Sequence, residues 1–164
     1  MSLATEPGLM DEVREILTRH EGRELHVYTD TRGFSTIGVG CNLDAPGAMG
    51  MVQSCGADFK GLYAGHVDLT PEQCDCLLNK QVIQVMEWLV RIFPEISTYS
   101  IKRQAALIDL GFNLGEGTFS TFTTFASLVR LKAWAAAAAD LLGTKAAKQT
   151  GQRYSDLAQM LVNG

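Results

Sequence analysis

Apolar positions along the chain change period twice. Leu9, Val13, Ile16 and Leu17 fall on one helical face, which predicts a helix over about 7–20, with Gly22 as its stop. The period then shortens. Residues 25–28 (LHVY) and 34–39 (FSTIGV) are rich in β-branched and aromatic side chains, and TDTRG lies between them. This predicts a β-hairpin with its tip near Asp30–Gly33. The glycine-rich segment 44–65 predicts irregular chain with a short helix after Pro46, and GHVDL (65–69) predicts a third strand beside the hairpin.

Helical spacing then returns. Thr70, Pro71 and Gln73 form a helix start, with Thr70 as cap and Gln73 closing a capping box. Cys74, Leu77, Leu78, Val82, Val85, Met86 and Leu89 mark a long apolar stripe, and Pro94 closes the helix near Ile92. Such a helix can join two lobes. Ser100 can cap a helix over 101–115, and three more follow at 124–132, 133–142 and 153–162, separated by short connections. The order of helix, small antiparallel sheet, long helix and helical remainder is an α+β fold.

Composition adds little beyond a soluble, globular class: 164 residues, 46% hydrophobic and 20% charged. Net charge is −4 and the pI about 5.3, and no basic run interleaved with aromatics occurs, which argues against nucleic acid as partner. No basic start leads into an apolar signal core, and the longest apolar run is too short for a membrane span. The opening Met1-Ser2-Leu3 has the look of an expression scar. Of the four cysteines, Cys74 and Cys76 point to different helix faces and do not bridge each other. A Cys41–Cys55 bridge is one reading, but free thiols are the expectation for a chain with no export signal. The cysteines with His66 match no zinc spacing, so no metal is expected.

Glu21 stands at the predicted end of the first helix, where the helix dipole disfavours a carboxylate and favours the protonated acid. A general acid requires that state. Asp30 lies nine residues on and Thr36 six beyond it. A hairpin folded back over the helix end would face both toward Glu21. A threonine hydroxyl beside a carboxylate can hold one water, and a protonated and an ionised carboxyl together suit glycoside hydrolysis. The residues alone also allow plainer roles. Asp30 can bond its own turn, Thr36 can be an ordinary strand residue, and Glu21 can pair with Arg19, Arg23 or Arg153.

The ordered strings HEG, Y-x-D-x-x-G and T-I-G-x-G, running from His20 to Gly40, resemble the phage-type lysozymes. The long helix, RQAALIDLGFNLG, the phenylalanine of TFTTF, KAW and the terminal QTGQR extend the likeness over nearly the whole chain. The resemblance implies hydrolysis of the β-1,4 bond between N-acetylmuramic acid and N-acetylglucosamine, with inversion and without cofactor. It implies Glu21 as general acid, with Asp30 and Thr36 activating water. It places Arg153 as partner of the catalytic glutamate. Asn42, Phe112, Asn113 and Asp140 would contact sugar in a cleft between a sheet lobe (about 20–70) and a helical lobe (about 93–164 with the first helix). For these the plainer alternatives are a turn residue at Asn42, core packing at Phe112 and a solvated helix face at Asp140.

By the same resemblance the chain is a monomeric endolysin of phage or prophage origin. It would be made in the host cytoplasm without a signal peptide, would not insert stably in the membrane, and would reach bacterial peptidoglycan through a holin's lesion. Three departures stand out. Cys41 replaces a frequent histidine, removing a structural ion pair. KAAK replaces aromatics before the last helix, which would loosen the helical lobe. The acidic pI contrasts with many basic peptidoglycan lysozymes. A non-catalytic glycan-binding module, a transglycosylase and a structural protein are the competing readings.

Overall fold

A computed structural model describes residues 6–164; the Met1-Ser2-Leu3 opening lies outside them. The chain divides into two compact units. One is Leu17–Ile83; the other runs up to Ile16 and from Gln84 to Gly164.

The first helix, α1 (Leu9–Glu21), carries its four apolar residues into the core. It ends where predicted. Gly22 turns left-handed at φ 77°, and its N–H closes onto the Thr18 carbonyl. Only glycine takes that conformation without steric cost. The antiparallel hairpin β1 (Glu24–Thr29) and β2 (Ser35–Gly38) follows. Register pairs Tyr28 with Thr36 and Glu24 with Gly38, so β1 carries a bulge between Glu24 and Tyr28. The third strand is β3 (Cys41–Asn42), pairing Asn42 with Thr36. This corrects the expectation for GHVDL, which forms no strand. That segment runs beside β1 with a backbone bond from Leu69 N–H to the Leu25 carbonyl.

Segment 44–65 holds the expected short helix, α2 (Ala48–Ser54), and a second, α3 (Phe59–Tyr63). The long helix α4 (Pro71–Ile92) opens on the predicted capping box. Gln73 N–H donates to Thr70 Oγ1 at 3.1 Å, and Thr70 N–H to Gln73 Oε1 at 3.0 Å. Cysteine pairing departs from both sequence readings: Cys55 and Cys76 form a disulfide, while Cys41 and Cys74 are free and buried. Cys76 reaches Cys55 because it lies on the helix face away from buried Cys74. Burial pushes the Cys41 thiol up to about 11.

In the other unit, α5 (Ile101–Phe119) is capped by Ser100 and breaks its helical path at Gly115. Gly111 permits its approach to the second half of α4, since a β-carbon there would lie 2.8 Å from Trp88. Trp88, Phe93 and Phe125 each meet Phe119 edge-on. Helices α6 (Thr123–Arg130), α7 (Trp134–Leu142) and α9 (Gln152–Asn163) match the three predicted ones. The KAAK stretch lies in a short helix, α8 (Lys145–Thr150), in which Thr144 caps the Ala147 N–H at 3.2 Å. Among the described residues no helix is long and apolar enough to cross a membrane.

Candidate active site

Four of the residues singled out by sequence fall in the Leu17–Ile83 unit. Glu21, the last residue of α1, is half-buried. Its carboxyl group lies against Gly40: a β-carbon there would sit 2.9 Å from Oε2 and 3.1 Å from Cδ. Gly40 has φ 65°, a conformation that favours glycine, and any side chain there would also press on the Glu21 carboxyl. Arg23, one arginine that could have paired with Glu21, instead pairs with Asp75 at 2.6 Å.

Asp30 begins the hairpin turn and its carboxylate organises it. Oδ1 accepts the N–H groups of Arg32 at 2.8 Å and Phe34 at 2.9 Å, and Oδ2 lies 3.8 Å from the Arg32 guanidinium. The Phe34 N–H, above all, holds this carboxyl below the usual carboxylate range, with Arg32 and the Gly33 N–H adding to it against a burial effect. The turn-bonding role is therefore real. It also leaves Asp30 ionised, with no hydrogen bond to Oδ2 among the described residues.

Thr36 is buried in the central strand, and its hydroxyl donates to the Phe34 carbonyl at 3.1 Å. That fixes the hydroxyl proton and leaves the oxygen as an acceptor. Asn42 is its cross-strand partner. Asn42 Oδ1 accepts the Asp44 N–H at 2.8 Å, the turn role allowed by sequence. The Asp44 carboxylate in turn accepts the Ser35 N–H at 2.8 Å and the Tyr63 hydroxyl at 2.7 Å, bracing the start of β2.

Sequence reasoning passed over two residues here. Gly40 was visible only as part of T-I-G-x-G. Tyr28 was visible only as the first letter of Y-x-D, yet it stands on β1 two residues before Asp30 and is paired with Thr36. Burial, and then the carboxylates of Glu21, Asp30 and Glu24, hold its phenol above the ordinary range.

The remaining four lie in the other unit. Phe112 and Asn113 are half-buried on α5, where Asn113 Oδ1 accepts the Tyr154 hydroxyl at 2.9 Å. Asp140 is half-buried on α7. Arg153 is buried, and its Nε donates to Asp109 Oδ1 at 2.8 Å. Among the described residues no cluster of histidine, cysteine or carboxylate could hold a metal ion.

Known proteins share this arrangement of sequence. Probable T4-type lysozyme 1 of Dictyostelium discoideum is 23% identical over 165 residues, spanning 95% of this chain and 96% of that protein. Probable T4-type lysozyme 2 of the same organism is 24% identical over 164 residues, with the same coverage. The sequence model described as phage lysozyme matches residues 18–159, which include every candidate site residue. The chain belongs to the phage lysozyme family and is a glycoside hydrolase.

Proposed function

We propose that this muramidase cuts the β-1,4 bond between N-acetylmuramic acid and N-acetylglucosamine in bacterial peptidoglycan, in one inverting step. Glu21 gives its proton to the leaving glycosidic oxygen as the bond to the anomeric carbon breaks. A water donates one hydrogen bond to Asp30 Oδ2 and one to Thr36 Oγ1, which leaves a lone pair aimed at the anomeric carbon. As the new carbon–oxygen bond forms, the water's proton passes to Asp30. The charges balance: one carboxyl loses a proton and the other gains one. Inverting enzymes leave room for that water by keeping the carboxyl groups about 6.5–9.5 Å apart.

The observation that carries this reading is the pinned, ionised Asp30 at the hairpin tip, followed on β2 by a Thr36 whose hydroxyl proton is already committed. Glu21, packed on Gly40 at the helix end, supplies the opposing group. We assign Asn42, Phe112, Asn113 and Asp140 to sugar contacts, and Arg153 to tuning the acidity of Glu21, on the family resemblance. Clearance of purified peptidoglycan by Glu21→Gln tests the proposal. Loss of about 100-fold or more is expected for a missing general acid. Unchanged clearance would remove Glu21 from the chemistry. An anhydro-sugar in place of a reducing end would make the protein a transglycosylase.

A further inference from the structure

Of the polar side chains around the proposed reaction centre, Tyr28 has no role yet. Among the described residues its hydroxyl has no hydrogen-bond partner, although it is half-buried. Its position is fixed twice by the sheet. It lies on β1 two residues before the turn residue Asp30, and it stands opposite Thr36, which stands opposite Asn42. Tyr28, Thr36 and Asn42 therefore form one row across the three strands.

The donor inventory around that row is lopsided. Asp30 is ionised and only accepts. Thr36 has given its proton to the Phe34 carbonyl. Asn42 uses its carbonyl oxygen on Asp44 N–H and lies at the far end of the row. In the proposed mechanism the proton of Glu21 goes to the leaving oxygen. A sugar bound here presents acceptor oxygens, in its hydroxyls and N-acetyl carbonyls; at the Asp30 end the donors left are the exposed Arg32 guanidinium, 3.8 Å from Asp30 Oδ2, and the Tyr28 hydroxyl, and only Tyr28 belongs to the row that contains Thr36. The geometry points to Tyr28 as a further substrate-binding residue, whose hydroxyl donates a hydrogen bond to an acceptor oxygen of the glycan beside the reacting bond. This rests on the muramidase reading given above. Burial first, and the nearby carboxylates after it, keep the phenol protonated and able to donate.

Tyr28→Phe removes the hydroxyl and keeps the ring, and since that hydroxyl has no protein partner, thermal stability should not change. The probe is a peptide-free strand of alternating N-acetylglucosamine and N-acetylmuramic acid. Calorimetry on Glu21→Gln and on the double variant Glu21→Gln/Tyr28→Phe should show Kd rising about 3- to 10-fold on loss of the hydroxyl, the size of one neutral hydrogen bond. Tyr28→Phe alone should lose kcat/KM by a similar factor or more. Kd and kcat/KM both within twofold would overturn the assignment. So would a fall in Tm of several degrees accompanying the loss, which would make the hydroxyl structural. Hydrolysis by Glu21→Gln is read separately by turbidity, so failure of the muramidase mechanism and failure of the Tyr28 assignment give different results.

Discussion

Gly40→Ala separates the cost of backbone strain from the cost of moving Glu21. The new β-carbon would sit 2.9 Å from Glu21 Oε2, 3.1 Å from Cδ and 3.3 Å from Cγ. Ordinary contact begins near 3.5 Å, so the carboxyl group must shift by several tenths of an ångström. The atoms met belong to a side chain rather than to backbone, so the carboxyl group can move aside while the fold is kept. The left-handed φ of 65° costs an alanine about 1–2 kcal/mol. At about 2–4 °C per kcal/mol for a chain of this length, Tm should fall by roughly 2–8 °C. Gly47→Ala is the control: φ is 84° there, and nothing lies within 4 Å of the new carbon. It should lose similar stability and keep its activity. Displacement of a general acid by a fraction of an ångström should lower kcat about 10- to 100-fold in Gly40→Ala alone. The assay is peptidoglycan turbidity well below both melting points, with circular dichroism for Tm. Equal activity in the two alanine variants would refute the claim that Gly40 seats Glu21.

Two further outcomes follow from charge and covalent structure. Asp30 is held below the usual carboxylate range, so the acid limb of the kcat/KM profile should fall below 3.8. The same lowered value means that the turn's electrostatic contribution to stability is complete above the unfolded carboxyl's pKa and is lost as pH falls through the folded one. An acid limb at or above 3.8 would contradict the pinned carboxylate. The Cys55–Cys76 bridge spans a sequence separation of 21, so reduction should cost about 3 kcal/mol by loop-closure entropy, roughly 6–12 °C in Tm. Thiol titration should find two cysteines on denaturation without reductant and four with it, against an unchanged Tm and four thiols if the bridge is absent.

The features legible in the sequence were those fixed by neighbours along the chain. The Thr70–Gln73 box, the Gly22 stop and the Asp30 turn each close hydrogen bonds over a few residues, and the α1 and α4 stripes repeat often enough to show a period. The features missed depend on distant partners. GHVDL has the composition of a strand and runs beside β1, but the third strand is Cys41–Asn42 on the edge of β2, too short to carry any alternation. Helices α3 and α8 are five and six residues long, less than two turns. Cys55 meets Cys76 only once α2 and α4 are placed, and an expectation based on compartment could not supply that. At the site, residue type and spacing made Glu21, Asp30 and Thr36 candidates with plainer roles left open, and the resemblance singled them out. Gly40 and Tyr28 needed the folded approach of Glu21 and the strand register.

The central claim is a single displacement at the anomeric carbon, with Glu21 as acid and Asp30 with Thr36 guiding water. Proton NMR of the first product formed from a peptide-free glycan strand, recorded before mutarotation, tests it most directly. The account predicts that the new reducing end appears first as the α-anomer, and that Glu21→Gln yields no product on the same timescale. A β-anomer appearing first would require a retained configuration and contradict the mechanism.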